Sequence, residues 1–349
     1  MCRIPLLIER GSIDRFTVVQ REPMKQVFSS EGMLKMIYGY SLGICLFLTL
    51  LGTAGCSHIG RDLVHVPHHR YGIGVDMPQE KIFDTGKVKI NYLDSGSPSA
   101  EPMVMLHGGA WRWQEYLTLI PSLSQRWHVH AMDLRGNGRS GWVAGHYRLA
   151  DFAEDTVTFL RQLNAPAVLV GHSLGGAIAL MAAAQCPEKV KALIIEDAPL
   201  DITIYRKFVD SSRDMFGLWL DLKKSASSEQ ELSLALADRY KDYPGVTSQW
   251  ILFFAGCLWA LDPTYFDALL YDFDGFSRGY GAEEIMAKIK CPVLFIRGET
   301  KLGAVMSDGE ISWLKQNFSN VNYVQIDGVG HLLHLEDRGQ TPVLNEMMA

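Results

Sequence analysis

The stretch Ala167-Val168-Leu169-Val170-Gly171-His172-Ser173-Leu174-Gly175-Gly176 decides how this chain is read. An apolar run of strand type enters Gly171, and small apolar residues continue from Gly175 to Ala184 at helical length. Between the two lies G-x-S-x-G, with Ser173 at its centre. A serine on so sharp a strand-to-helix bend holds a strained backbone, and side chains at the flanking positions would strike neighbouring elements, so glycine is needed there. The bend lifts the hydroxyl above the sheet edge, at a helix N-terminus that favours negative charge. In a chain with 32 glycines a bare G-x-S-x-G says little; the strand before it and the helix after it give it force.

Short apolar runs alternate with amphipathic ones on both sides of this segment. Strands are expected at Val88 to Leu93, Met103 to Leu106, His128 to Leu134, Ala192 to Ile195, Val293 to Ile296 and Tyr323 to Ile326. Helical spacing marks Trp113 to Leu123, residues 150–163 and Glu310 to Asn317. Such alternation predicts an α/β fold with a mostly parallel sheet covered by helices on both faces. Residues from about 200 to 280 break the pattern. They are rich in aromatics and lie between two sheet strands, as an inserted cap would, and a few of those aromatics are expected to line the approach to Ser173.

A serine hydroxyl becomes a nucleophile only when a base takes its proton. His331 is the candidate, in Asp327-Gly328-Val329-Gly330-His331 after the last predicted strand, with His334 as fallback; His172 is read as structural. The oxyanion of an acyl intermediate needs backbone N–H donors. Leu174 supplies one by its place after the serine. The loop His107-Gly108-Gly109-Ala110 offers the other, at Gly109.

The net charge of −6 is spread along 349 residues without a basic face, which argues against a nucleic-acid partner. Six scattered cysteines form neither a disulfide framework nor a zinc spacing, so no metal and no cofactor is expected. The front of the chain differs. Residues 36–54 carry no charge and reach the lower end of a bilayer span, with Lys35 before them and Thr53-Ala54-Gly55-Cys56 after them. A lipoprotein signal with Cys56 lipidated and an uncleaved signal-anchor both fit; each places the downstream domain on the non-cytoplasmic side of a membrane. The expected organisation is an N-terminal extension (1–56), a linker (57–84) holding His65, His68 and His69, and a catalytic domain (85–349).

The segments His107-Gly108-Gly109-Ala110-Trp111, Asp133-Leu134-Arg135-Gly136-Asn137-Gly138-Arg139-Ser140, Gly171 to Gly176 and Gly328 to His331, in this order, resemble the α/β-hydrolase superfamily over about residues 86–340. The resemblance implies an eight-stranded, mostly parallel sheet and a lid after the sixth strand. It also implies an acid for the histidine. The usual place after the seventh strand reads Gly298-Glu299-Thr300-Lys301, with lysine where aspartate is expected. In part of the superfamily the acid follows the sixth strand, which here points to Asp197; Glu196, Glu299 and Asp308 remain the alternatives. Serine at the elbow, where dehalogenases and epoxide hydrolases of the superfamily carry aspartate, implies an acyl-enzyme. The expected activity is that of a carboxylesterase on a small or medium apolar ester. Carbon–carbon bond hydrolysis, perhydrolysis and a non-catalytic binding module are the alternatives.

Overall fold

The computed structural model describes residues 79–242 and 246–349. The apolar segment 36–54, Cys56, and the linker through residue 78 with its three histidines lie outside the described residues. Among the described residues no helix is long and apolar enough to cross a membrane.

Eight strands form one sheet: β1 (Gln79–Asp84), β2 (Lys89–Ser95), β3 (Glu101–Leu106), β4 (Trp127–Met132), β5 (Ala167–His172), β6 (Val190–Glu196), β7 (Val293–Arg297) and β8 (Val321–Gln325). Their order is β1-β2-β4-β3-β5-β6-β7-β8. β2 runs antiparallel to β1 and β4, and every other pairing is parallel. The expected sheet is thus present, with one correction. Residues 79–84, assigned to the linker, form the edge strand β1. Its run Gln-Glu-Lys-Ile-Phe-Asp is largely exposed, and charged residues on an edge strand discourage further pairing while hiding the strand from a hydrophobicity reading.

Period-two alternation divides the core. Val104 and Leu106 of β3 and Leu169 of β5 pack into one layer, and Met103, Met105, Val168 and Val170 into the other. The first layer is covered by α1 (Leu149–Gln162) and α2 (Leu174–Gln185). α2 is buried nearly all round; at Gly176 a Cβ would stand 2.5 Å from that of Ala198. Trp113 to Leu123, expected as one helix, is two short turns, Trp113–Tyr116 and Ile120–Leu123. Pro121, lacking an N–H, cannot continue a helix from the first turn.

Between β6 and β7 the chain forms α3 (Ile202–Ser225), α4 (Glu229–Tyr240) and α5 (Ser248–Ala260), followed by shorter helices through Lys288. Asp201, Ser228 and Thr247 cap the first three by accepting bonds from first-turn N–H groups. This is the region read as an insertion. Downstream, α6 (Asp308–Asn317) and α7 (Asp337–Met348) flank β8. Because β4 lies on one side of β3 and β5 on the other, the strand order reverses there, and crevices of open α/β sheets lie at such reversals, outside the carboxyl ends of the strands.

Candidate active site

Ser173 follows β5 directly, with φ 52° and ψ −118°, a backbone conformation that costs about 1–3 kcal/mol outside glycine. Its N–H donates to the Glu196 carbonyl at 2.9 Å, which ties the bend to the end of β6. The flanking glycines are sterically required. A Cβ on Gly171 would lie 2.3 Å from the Gly175 carbonyl oxygen, and one on Gly175 2.1 Å from that of Leu106.

The loop after β8 delivers His331. Its Nε2 lies 3.0 Å from Ser173 Oγ, and its Nδ1 2.6 Å from Asp197 Oδ2. Close packing holds this loop: a Cβ on Gly330 would lie 2.3 Å from the Leu302 carbonyl oxygen. Asp197 sits just past β6 in the left-handed region (φ 41°), fully buried. The Val305 N–H donates to its Oδ2 at 2.8 Å and the Met306 N–H to its Oδ1 at 3.1 Å. Both oxygens are therefore held by backbone donors as well as by the imidazole.

The alternative acids go elsewhere. Glu196 accepts from His334, whose Nδ1 lies 2.7 Å from both carboxylate oxygens. Glu299 accepts from the Gly328 N–H at 2.7 Å and pairs with Lys301. Asp308 opens α6 and pairs with Arg297. The fallback histidine and one fallback acid are thus partners of each other, buried away from Ser173.

His107-Gly108-Gly109-Ala110 follows β3, with Ala110 at φ 63° completing the turn. The N–H groups of Gly109 and Leu174 have no acceptor among the described residues, and both residues line the cavity that Ser173 borders. The Gly108 N–H instead donates to Glu115 Oε2 at 2.7 Å. Glu115 was not singled out in the sequence, where one carboxylate among Trp113, Gln114 and Tyr116 carries no motif.

Glu115 Oε1 lies 2.6 Å from His172 Nδ1, and His172 Nε2 lies 2.9 Å from the His331 carbonyl oxygen. A carbonyl only accepts, so Nε2 carries a proton; facing an ionised carboxylate, Nδ1 carries one too. Burial alone would lower the His172 pKa, but the charge and hydrogen bond of Glu115 outweigh it and raise it to about 9. Burial likewise pushes Glu115 upward, and His172 overcomes this and holds the carboxyl at about 2. A buried ion pair, met by a backbone donor (Gly108 N–H) at the carboxylate and a backbone acceptor (His331 C=O) at the imidazolium, thereby joins the loop carrying Gly109 to the loop carrying His331.

The cavity in front of Ser173 measures about 100 Å³. Apart from Ser173, His172 and His331 its walls are almost wholly apolar: Trp111 and Leu174 from the sheet side, Phe208, Phe216 and Trp219 from α3, and Leu269 beyond it. Asp133-Leu134-Arg135-Gly136-Asn137-Gly138-Arg139-Ser140 has a supporting part. Asp133 accepts from the Trp113 N–H at 2.8 Å and from Asn91 at 2.8 Å, and Arg135 forks onto Asp155 at 2.6 and 2.7 Å.

The chain resembles several known proteins. A Haemophilus influenzae protein with a provisional esterase/lipase name is 25% identical over 240 residues, 67% of this chain and 78% of that protein. The 2-(acetamidomethylene)succinate hydrolase of Mesorhizobium japonicum is 33% identical over 115 residues, 33% of this chain and 41% of that protein. The crystal structure of naproxen esterase (carboxylesterase NP) from Bacillus subtilis superposes with a TM-score of 0.58 at 18% identity, over 78% of this chain and 91% of that one, which shows the shared fold. The model of the alpha/beta hydrolase fold matches residues 101–338, and with the sheet order and the elbow described above, the chain belongs to that family.

Proposed function

We propose that the protein is a serine hydrolase working through an acyl-enzyme, with carboxylesterase activity on small or medium apolar esters. The observation that carries this reading is the unbroken chain of contacts Ser173 Oγ, His331 and Asp197, at 3.0 and 2.6 Å. His331 Nε2 takes the Ser173 proton as Oγ bonds to the ester carbonyl carbon, and the carbonyl electrons move onto oxygen. The free N–H groups of Gly109 and Leu174 receive that oxyanion. Collapse expels the alkoxide, which takes the proton from His331 and leaves as alcohol. Water then repeats the sequence on the acyl-enzyme, releasing the carboxylic acid and restoring Ser173. Asp197 keeps Nδ1–H of His331 engaged, so that Nε2 faces the hydroxyl.

Apolar walls around Ser173 favour an apolar acyl group, since buried polar groups of a substrate would find few partners there. Upstream, the apolar segment 36–54 and Cys56 add an exported, membrane-tethered location to the proposal.

A fluorophosphonate probe tests the chemistry. Labelling of the protein and its disappearance in Ser173→Ala are expected; a folded protein that never labels is a binding module instead. A panel of p-nitrophenyl esters of rising acyl length tests the substrate class, with kcat/KM expected to peak at short to medium chains. For the location, Cys56→Ser is expected to leave an uncleaved precursor by mass; an unchanged mature mass rejects lipidation.

A further inference from the structure

A second group of ligand-type side chains lies at the far side of the sheet, separated from β5 by β3. Asp94 on β2 and His130 on β4 are direct cross-strand partners, and His128, two residues before His130, shares its face. The two imidazoles lie 4.2 Å apart between ring centroids. His128 Nε2 is 2.9 Å from Asp94 Oδ1, and His130 Nδ1 is 3.8 Å from Asp94 Oδ2. One donor atom from each residue falls within 4.8 Å of the other two.

The second observation concerns His130 alone. Its side chain is only 6% exposed, yet Nδ1 has no hydrogen-bond partner. Tyr92 and Phe159 pack on the ring at 5.8 and 5.7 Å between centroids, so the nitrogen is left facing the Asp94 carboxylate across a gap too long for a hydrogen bond. An unpaired buried nitrogen is a cost that a bound cation would remove.

We propose that Asp94, His128 and His130 form a site for a divalent cation of the zinc type, with water as the fourth ligand. Two imidazoles and one carboxylate suit zinc, cobalt or nickel and disfavour magnesium and calcium. Tetrahedral zinc with bonds of about 2.0–2.1 Å holds neighbouring donors about 3.3 Å apart. With one Asp94 oxygen as ligand, the three donor atoms, already within 4.8 Å of one another, draw in to this spacing by side-chain rotation. Lys81 is the competitor: its ammonium sits 2.8 Å from Asp94 Oδ2, but its side chain is 45% exposed and can swing into water.

The full chain, stripped with chelator, is titrated with Zn²⁺ by calorimetry and with Co²⁺ by visible absorption. The proposal expects one tight equivalent and an intense tetrahedral Co²⁺ band. His128→Gln, at the partly exposed ligand, weakens that equivalent by about 100-fold or more and removes the band. His130→Gln does the same if it folds, and Lys81→Gln tightens binding by removing the competing charge. Replacing His65, His68 and His69 by alanine together leaves the equivalent in place. Two results overturn the proposal: no tight equivalent in the parent, or one lost with the N-terminal histidines and kept in His128→Gln.

Discussion

Two histidine–carboxylate pairs lie side by side at the carboxyl end of the sheet, with ring centroids of His172 and His331 4.8 Å apart. Each binds its carboxylate through Nδ1 at 2.6 Å. They part company at Nε2. His331 presents it to a hydroxyl on a partly exposed serine, whereas His172 spends it on the backbone carbonyl of His331 itself. A hydroxyl can surrender its proton to the ring; a carbonyl has none to give. Under the proposed function, identical residue types thus serve as a base in one pair and a fixed buried cation in the other, and the partner at the second nitrogen makes the difference.

The largest test of this contrast is at the proposed nucleophile and its proposed acid. Ser173→Ala is expected to lower kcat by about 10⁴-fold or more, and Asp197→Asn by about 10³- to 10⁴-fold with little change in KM. Steady-state kinetics on a p-nitrophenyl ester measures both. Should Asp197→Asn retain activity within a few-fold of the parent, another carboxylate serves His331.

Glu115→Gln tests the other pair. Leaving His172 buried beside a neutral partner is expected to cost about 3–5 kcal/mol in denaturant unfolding. It is also expected to lower kcat roughly tenfold, because the loops holding Gly109 and His331 lose their common tie. Glu115→Asp should recover part of both. Full activity in a destabilised Glu115→Gln would mean that the pair supports the fold and leaves the catalytic groups in register without it.

A pH prediction follows from the same pair. The His172 pKa is raised by folding, to about 9 against an ordinary value near 6.5. Its stabilisation is complete below about pH 6.5, declines as pH rises, and is gone above about 9. Glu115 is shifted downward, so its share is present above its ordinary range and lost as pH falls through about 2. Thermal melts between pH 6 and 10 should show a decline that His172→Gln flattens; equal slopes in the two proteins would count against the buried cation. The smallest expected effect is at the discarded acids. Glu299→Gln and Asp308→Asn, which pair with Lys301 and Arg297, should leave kcat within about threefold.

Much of this site was legible in the chain because its parts are local. Gly171, Gly175 and the strand and helix around Ser173 follow from steric demands within ten residues, and His331 stands in a glycine-bounded loop at a strand end. Glu115 was not legible: its partner is 57 residues away, and nothing near it in sequence requires a charge. The edge strand β1 escaped for the converse reason, since an exposed charged strand has a loop's composition. His334 and Glu196, each plausible as a stand-in for a triad member, could be retired only when their mutual contact across 138 residues became visible.

By itself the amino-acid order determined the parallel sheet, the bend at Ser173 and the two loops that flank it, because periodicity and glycine sterics act over short stretches of chain. Only the tertiary structure decided among four carboxylates, and which of three histidines meets a hydroxyl. Those choices depend on strand ends brought together by sheet order, where a displacement of one residue turns a side chain from the crevice into the core.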